Sequence, residues 1–352
     1  MAEQPSEWLA STLEEVLEPE LPICDPHHHL WDHPDSRYLL DEVLLDTSPS
    51  TSSGQAPSAG SGQAPSTGHN VRSTVFVECA SMYRAAGPPE LRPVGETEFV
   101  QGIAAMSASG GYAETRIAAG IVSFADLALG ARAAEVLEAH VAASPNRFKG
   151  IRHASGWHES PDIRNSHTNP PQGLLLDSTF REGFQKLAEY GLSFDAWLYH
   201  PQLHELADLA KAYPATIIIL DHMGGPLGVG PYEGEREAVF AEWRKSIALA
   251  AQCPNVVVKL GGVNMPINGF GWHRREAPPT STELLEATRE YYLTCLELFG
   301  VERCMFESNF PVDKRSCSYA VLWNTFKRLT EDFAASERAA LFHDNAVRIY
   351  RL

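Results

Sequence analysis

The chain has 352 residues, 44% of them apolar and 21% charged, enough apolar material to build a sizeable core without disulfide staples. Lys and Arg number 28 against 45 Asp and Glu, a formal net charge of −17, and no basic run exceeds two residues, which argues against nucleic acid or an anionic membrane surface as a partner. The longest aliphatic stretch, residues 217–220, is far short of the roughly 20 needed to span a bilayer, the acidic N-terminus does not read as a secretory leader, and six scattered cysteines without a CxxC pair fit a reducing, cytoplasmic setting.

In chain order, the first β-type run, 21–24, leads into DPHHHLWD at 25–32. Strand residues two apart share a face, so His27 and His29 project together and His28 points away. Two neutral imidazoles so placed are half of many divalent-metal sites, the remaining ligands coming from other strands. Residues 47–68 are almost entirely Ser, Thr, Gly, Gln, Ala and Pro, with GQAPS repeated at 54–58 and 62–66, and read as a mobile insertion rather than an interdomain linker. Strand 73–79 is followed by Tyr83 and Arg84, both candidates for touching substrate. Strand 116–122 precedes helix 131–143, and strand 148–153 ends in Arg152 and His153, where an Arg can clamp a carboxylate through two parallel hydrogen bonds. Helix 179–190, strand 192–198 with His200 beyond it, and helix 203–212 follow. Strand 216–220 delivers His222 into LDHMGGP, where glycines permit close approach of a ligand. Helix 235–251, strand 255–260, helix 283–299 and strand 303–306 complete the series, the last followed by Glu307 and Asn309.

Most of these strands are continuously apolar, as expected when both faces are buried, and they alternate with helices. Eight βα units and the absence of GxGxxG or GxxxxGK[ST] favour a single (β/α)8 TIM-type barrel domain over 1–352, with catalysis at the C-terminal ends of the strands.

DPHHHLWD, FKGIRH, LDHMGGP, NVVVKLGG, FESNFPV and LFHDNAVRIY, taken together and in this order, resemble the amidohydrolase superfamily, in particular the amidohydrolase-related group that includes 2-pyrone-4,6-dicarboxylate lactonase and sugar-acid lactonases. The resemblance implies a metal-assisted hydrolase of a small, carboxylated lactone or related cyclic ester. His27, His29 and His222 would hold Zn2+ or a similar ion, or polarise the carbonyl directly as in metal-free members; His200 would assist, and Arg152, with His153, Tyr83 and Arg84, would bind substrate. The family's last-strand Asp falls on Asn309, so water activation passes to a metal-bound water, to Glu307 or Asp313, or the hydrolytic chemistry is weakened or replaced. Non-oxidative decarboxylation of an aromatic acid and a catalytically impaired ligand-binding homologue are the alternatives. The expected partner is a small-molecule substrate, with assembly into a homo-oligomer left open.

Overall fold

A computed structural model describes residues 6–47 and 68–352. The expected insertion at 47–68 lies, Thr47 and Gly68 apart, outside the described residues. Eight strands form one sheet in which every paired neighbour is parallel: β1 (Pro22–His28), β2 (Asn70–Val77), β3 (Arg116–Ser123), β4 (Phe148–Arg152), β5 (Ser193–Ala196), β6 (Ile218–Leu220), β7 (Val256–Leu260) and β8 (Cys304–Phe306). The ring closes just past β8, where Asn309 N donates to His27 O (2.9 Å) and His29 N to Phe310 O (2.8 Å). Asp25 braces that seam by accepting from Ser308 N (3.0 Å) and the Tyr319 hydroxyl (3.0 Å). The fold is thus a (β/α)8 barrel.

The intervening helices are α1 (Leu40–Thr47), α2 (Val94–Ala108), α3 (Ala133–Ala143), α4 (Ser178–Glu189), α5 (Leu203–Ala212), α6 (Arg236–Ala251), α7 (Ser281–Phe299) and α8 (Tyr319–Leu329). Their starts are written locally. Asp177 accepts from Thr179 N and Phe180 N ahead of α4, and Thr280 and Glu283 form a reciprocal capping box on α7. Helix α2 escaped the helical-periodicity reading because Glu96, Thr97 and Ser107 lie on its buried side and interrupt the apolar stripe. No described helix is long and apolar enough to cross a membrane.

The core has two shells. Outside the barrel, helix side chains pack on the strands: Phe184 of α4 meets Phe194 of β5 edge to face at 5.2 Å, a burial that contributes about 1.5–3 kcal/mol. Inside, Cys24, Val75, Val77, Val122, Ile219, Val257 and Met305 fill the lower barrel, closed from beneath by Ala346, Ile349 and Tyr350 of the C-terminal helix Asn345–Tyr350. This apolar plug leaves only the upper barrel for polar chemistry.

Candidate active site

Side-chain alternation raises the polar layer directly from the apolar one. Ile219, Val257 and Met305 point inward, so Asp221, Lys259 and Glu307, each two residues on, point inward above them. Arg152 and Asp195 reach the same layer from the ends of β4 and β5, and His27 from β1. All six are buried. The GG of NVVVKLGG clears the space above. A Cβ on Gly261 would lie 2.3 Å from Glu307 O, and one on Gly262, at φ 62°, 2.0 Å from His222 Nδ1. His222 itself adopts φ 54° and is followed by Met223 at 52°, a left-handed pair that L-residues rarely adopt and that turns the imidazole back over the barrel. Trp243 of α6 ties this turn down through Nε1 to Met223 O at 2.7 Å.

Glu307 sits between two imidazoles. Its Oε1 accepts from His222 Nδ1 (2.7 Å) and His222 N (3.1 Å), and its Oε2 lies 2.8 Å from His27 Nδ1. Glu307 therefore takes the His222 Nδ1 proton and leaves the His222 Nε2 lone pair free, while His27 Nδ1 lies between Glu307 Oε2 and the Lys259 ammonium (3.1 Å). Burial opposes the Glu307 charge, yet the two imidazoles hold its carboxyl below the ordinary range. It is an orienting group, its Oε1 committed to His222 and its Oε2 set against His27, rather than the free base considered from the sequence. Burial, followed by the nearby Lys259 charge, lowers the pKa of His27 and keeps it neutral.

Around this pair runs a belt of charge. Lys259 Nζ contacts Asp195 Oδ2 (2.7 Å) and Asp221 Oδ1 (3.0 Å), and Tyr350 donates to the same Asp195 oxygen at 2.6 Å. Arg152 Nε meets Glu78 Oε1 at 2.7 Å, its NH2 donates to Glu78 O, and its NH1 lies 3.5 Å from Asp221 Oδ2 and 3.4 Å from His27 Nε2. Half-exposed His167 closes the belt on Glu78 Oε2 at 2.9 Å. Burial disfavours ionised Asp221, but Lys259 and His27 hold it well below the usual carboxylate range.

Several expected site residues stand elsewhere. Arg152 does not present a free clamp, because its fork is closed on Glu78. His153 is adjacent to Arg152 and so faces outward, between Phe124 and Phe180, with Nδ1 accepting from Leu127 N (3.3 Å) and burial pushing it down to about 4. His200 Nδ1 accepts from Leu227 N (3.3 Å) and its ring meets Tyr232 at 5.1 Å, so it belongs to the apolar cap formed with Tyr199 and Leu227; burial lowers it to about 4 and its buried Nε2 lacks a hydrogen-bond partner among the described residues. Arg84 is paired with Glu98 at the surface. Tyr83 is half-buried at the rim, where burial and then the Glu96 and Glu78 charges push its phenol upward and keep it protonated. His29 lies 5.0 Å from His27 by ring centroids, with Nδ1 2.7 Å from Val77 O, which leaves its Nε2 free. Asn309 does not share the Glu307 face. Its φ of 56° breaks the alternation, and its Nδ2 donates to Asp313 Oδ1 at 3.0 Å. Burial pushes Asp313 up to about 7 despite the opposing pull of His222 and of the Asn309 hydrogen bond, and its Oδ2 has no hydrogen-bond partner among the described residues. Asp221, Lys259, Asp195 and Glu78 were not singled out from the sequence. The available signal was a charged residue inside or just beyond an otherwise apolar strand, as in VVVKL.

A divalent cation fits this arrangement. One ligand atom each from His27, Asp221 and His222 lies within 4.8 Å of the others, a group that includes Asp221 but not His29. Two imidazoles and a carboxylate form a donor set typical of catalytic zinc. Glu78, Asp195, Asp221 and Glu307 surround only Arg152 and Lys259 as buried cations, leaving two negative charges that a divalent ion would balance.

An amidohydrolase family model matches residues 24–352. A y4mH protein of Sinorhizobium fredii, itself uncharacterised, is 34% identical over 95% of this chain and 99% of its own. An L-fucono-1,5-lactonase of Burkholderia multivorans is 27% identical over 68% of this chain and 73% of its own. Among solved structures, a zinc-bound amidohydrolase of the same species shares the fold with a TM-score of 0.66 at 23% identity, covering 94% of this chain and 99% of that one.

Proposed function

The chain belongs to the amidohydrolase family, and from that premise we propose that it opens the ester bond of a small lactone at the mouth of the barrel, using a divalent ion held by His27, Asp221 and His222. The observation that carries this reading is the convergence of His27, Asp221 and His222, with Glu307 holding His222 by Nδ1 so that its Nε2 lone pair is left for an ion beside an ionised Asp221. The lactonase relative and the zinc-bound structural neighbour support the substrate class and the ion.

A divalent ion there supplies Lewis acidity, polarising a carbonyl and making water nucleophilic at neutral pH. The protein's own residues supply the rest. Glu307 fixes the imidazoles, and the Trp197 ring, 4.8 Å from that of His222, excludes water from its flank. His29 Nε2 and the Tyr83 hydroxyl are left to bind and orient substrate oxygens. Asp313, with a carboxyl near 7 and one unpartnered oxygen, accepts the proton from the attacking water and returns it to the leaving alkoxide. Asn309 holds the other oxygen in place.

A second reading, decarboxylation of an aromatic acid, draws support from the same Asp313, because a carboxyl that retains its proton near neutrality can protonate a carbanion. A panel of lactones and aromatic acids with added Zn2+ or Mn2+ separates the two. Acid release without CO2 supports hydrolysis, and CO2 release overturns it in favour of the second reading.

A further inference from the structure

Lys259 is a buried ammonium in the middle of an apolar strand, and the reaction proposed above gives it no task. Its Nζ donates to Asp195 Oδ2 at 2.7 Å and to His27 Nδ1 at 3.1 Å, and it is ion-paired with Asp221 Oδ1 at 3.0 Å. It therefore touches two of the three groups assigned to the divalent ion. Asp195 touches none of the three and is fixed from below by the Tyr350 hydroxyl at 2.6 Å. Tyr350 is itself anchored, since Ala346 and Ile349 of the same helix pack into the apolar lower barrel.

We propose that Lys259 is an internal cation that shares Asp221 with the divalent ion and keeps that ion weakly held and exchangeable, while Asp195, set in place by Tyr350, draws Lys259 away from Asp221 far enough for the ion to bind. The inference rests on the reading of His27, Asp221 and His222 as the ion's donors. Two like charges bound to one carboxylate repel with an energy inverse to their separation, and the buried setting screens this less than water does. The C-terminal helix thereby acts as a positioning element for the ion site, although it lies at the opposite end of the barrel from substrate.

The test is calorimetric titration of the chelator-stripped, full-length protein with Zn2+ and with Mn2+ at pH 7. Lys259→Met removes the competing charge and tightens the ion by about tenfold or more, equivalent to about 1.4 kcal/mol. Asp195→Asn releases Lys259 onto Asp221 and loosens the ion by a similar factor. General damage would loosen both, so the opposite signs identify the effect. Unchanged affinity in both variants, or loosening in both, overturns the proposal. If Lys259→Met does not fold, as judged by its circular dichroism, the isosteric Asp195→Asn decides alone, with unchanged affinity overturning it. His222→Ala, which should abolish ion binding, separates the two levels. Binding that His222→Ala abolishes but that ignores Lys259 and Asp195 removes this inference alone. Absence of binding in the wild type and in every variant removes the donor-set reading as well.

Discussion

Glu307→Gln is the sharpest perturbation of the site, because it keeps the volume and removes one acceptor. The carboxylate accepts from His222 N and His222 Nδ1 at 3.1 and 2.7 Å, and its other oxygen lies 2.8 Å from His27 Nδ1. An amide has one acceptor oxygen, and its NH2 must face an imidazole nitrogen on the other side. Turned toward His222, that NH2 forces the imidazole proton to Nε2, which removes the lone pair that would face the ion. Loss of a partner that orients a metal-binding His costs about 10–100-fold in metal affinity, or roughly 1.4–2.7 kcal/mol. Calorimetric titration of stripped protein with Zn2+ measures this, with the melting temperature as a check on folding. A Glu307→Gln protein that folds normally and binds the ion as tightly as wild type would refute the assignment of Glu307.

The remaining predictions concern the proton, the glycine and the charge belt. Asp313 must be ionised to accept a proton, so kcat/KM falls about tenfold per pH unit below about 7; Asp313→Asn lowers the rate and removes that limb, and a pH profile whose limb survives assigns it to another group. Burial raises the same carboxyl to about 7 in the folded protein from an ordinary value of 3.8, so its ionisation opposes folding. Stability therefore declines as pH rises from about 4 through about 7, and Asp313→Asn flattens this part of a melting-temperature series. Gly262→Ala places a methyl 2.0 Å from His222 Nδ1 at a left-handed φ, so ion affinity drops and the melting temperature falls; wild-type values of both would show that the loop accommodates a side chain. Arg152→Met strips buried Glu78 of its guanidinium and destabilises the protein by about 3–5 kcal/mol in urea unfolding; a loss under 1 kcal/mol would mean that His167 alone suffices.

The barrel was legible because its strands are short, nearly uninterrupted apolar runs separated by amphipathic helices, and a buried parallel strand needs little else. His27 and His222 were legible from strand-end position. Asp221 was passed over beside the more conspicuous His222, although Ile219 two residues earlier marks it as inward. Lys259 and Asp195 follow the same alternation, but their meaning depends on pairing across the barrel, which no local pattern encodes. Asn309 misled for a physical reason. Period-two reasoning assumes extended backbone, and a φ of 56° at that residue sends its amide to Asp313. The free Arg152 clamp failed likewise, since its partner Glu78 lies 74 residues away in sequence.

The central claim is that an ion held by His27, Asp221 and His222 drives lactone opening. Its most direct test follows acid release from a lactone panel by chelator-stripped protein, before and after Zn2+ or Mn2+ is restored, in wild type and His222→Ala. The account predicts acid release that returns with the ion in wild type and not in His222→Ala. Full turnover by stripped protein, or by His222→Ala, would contradict it.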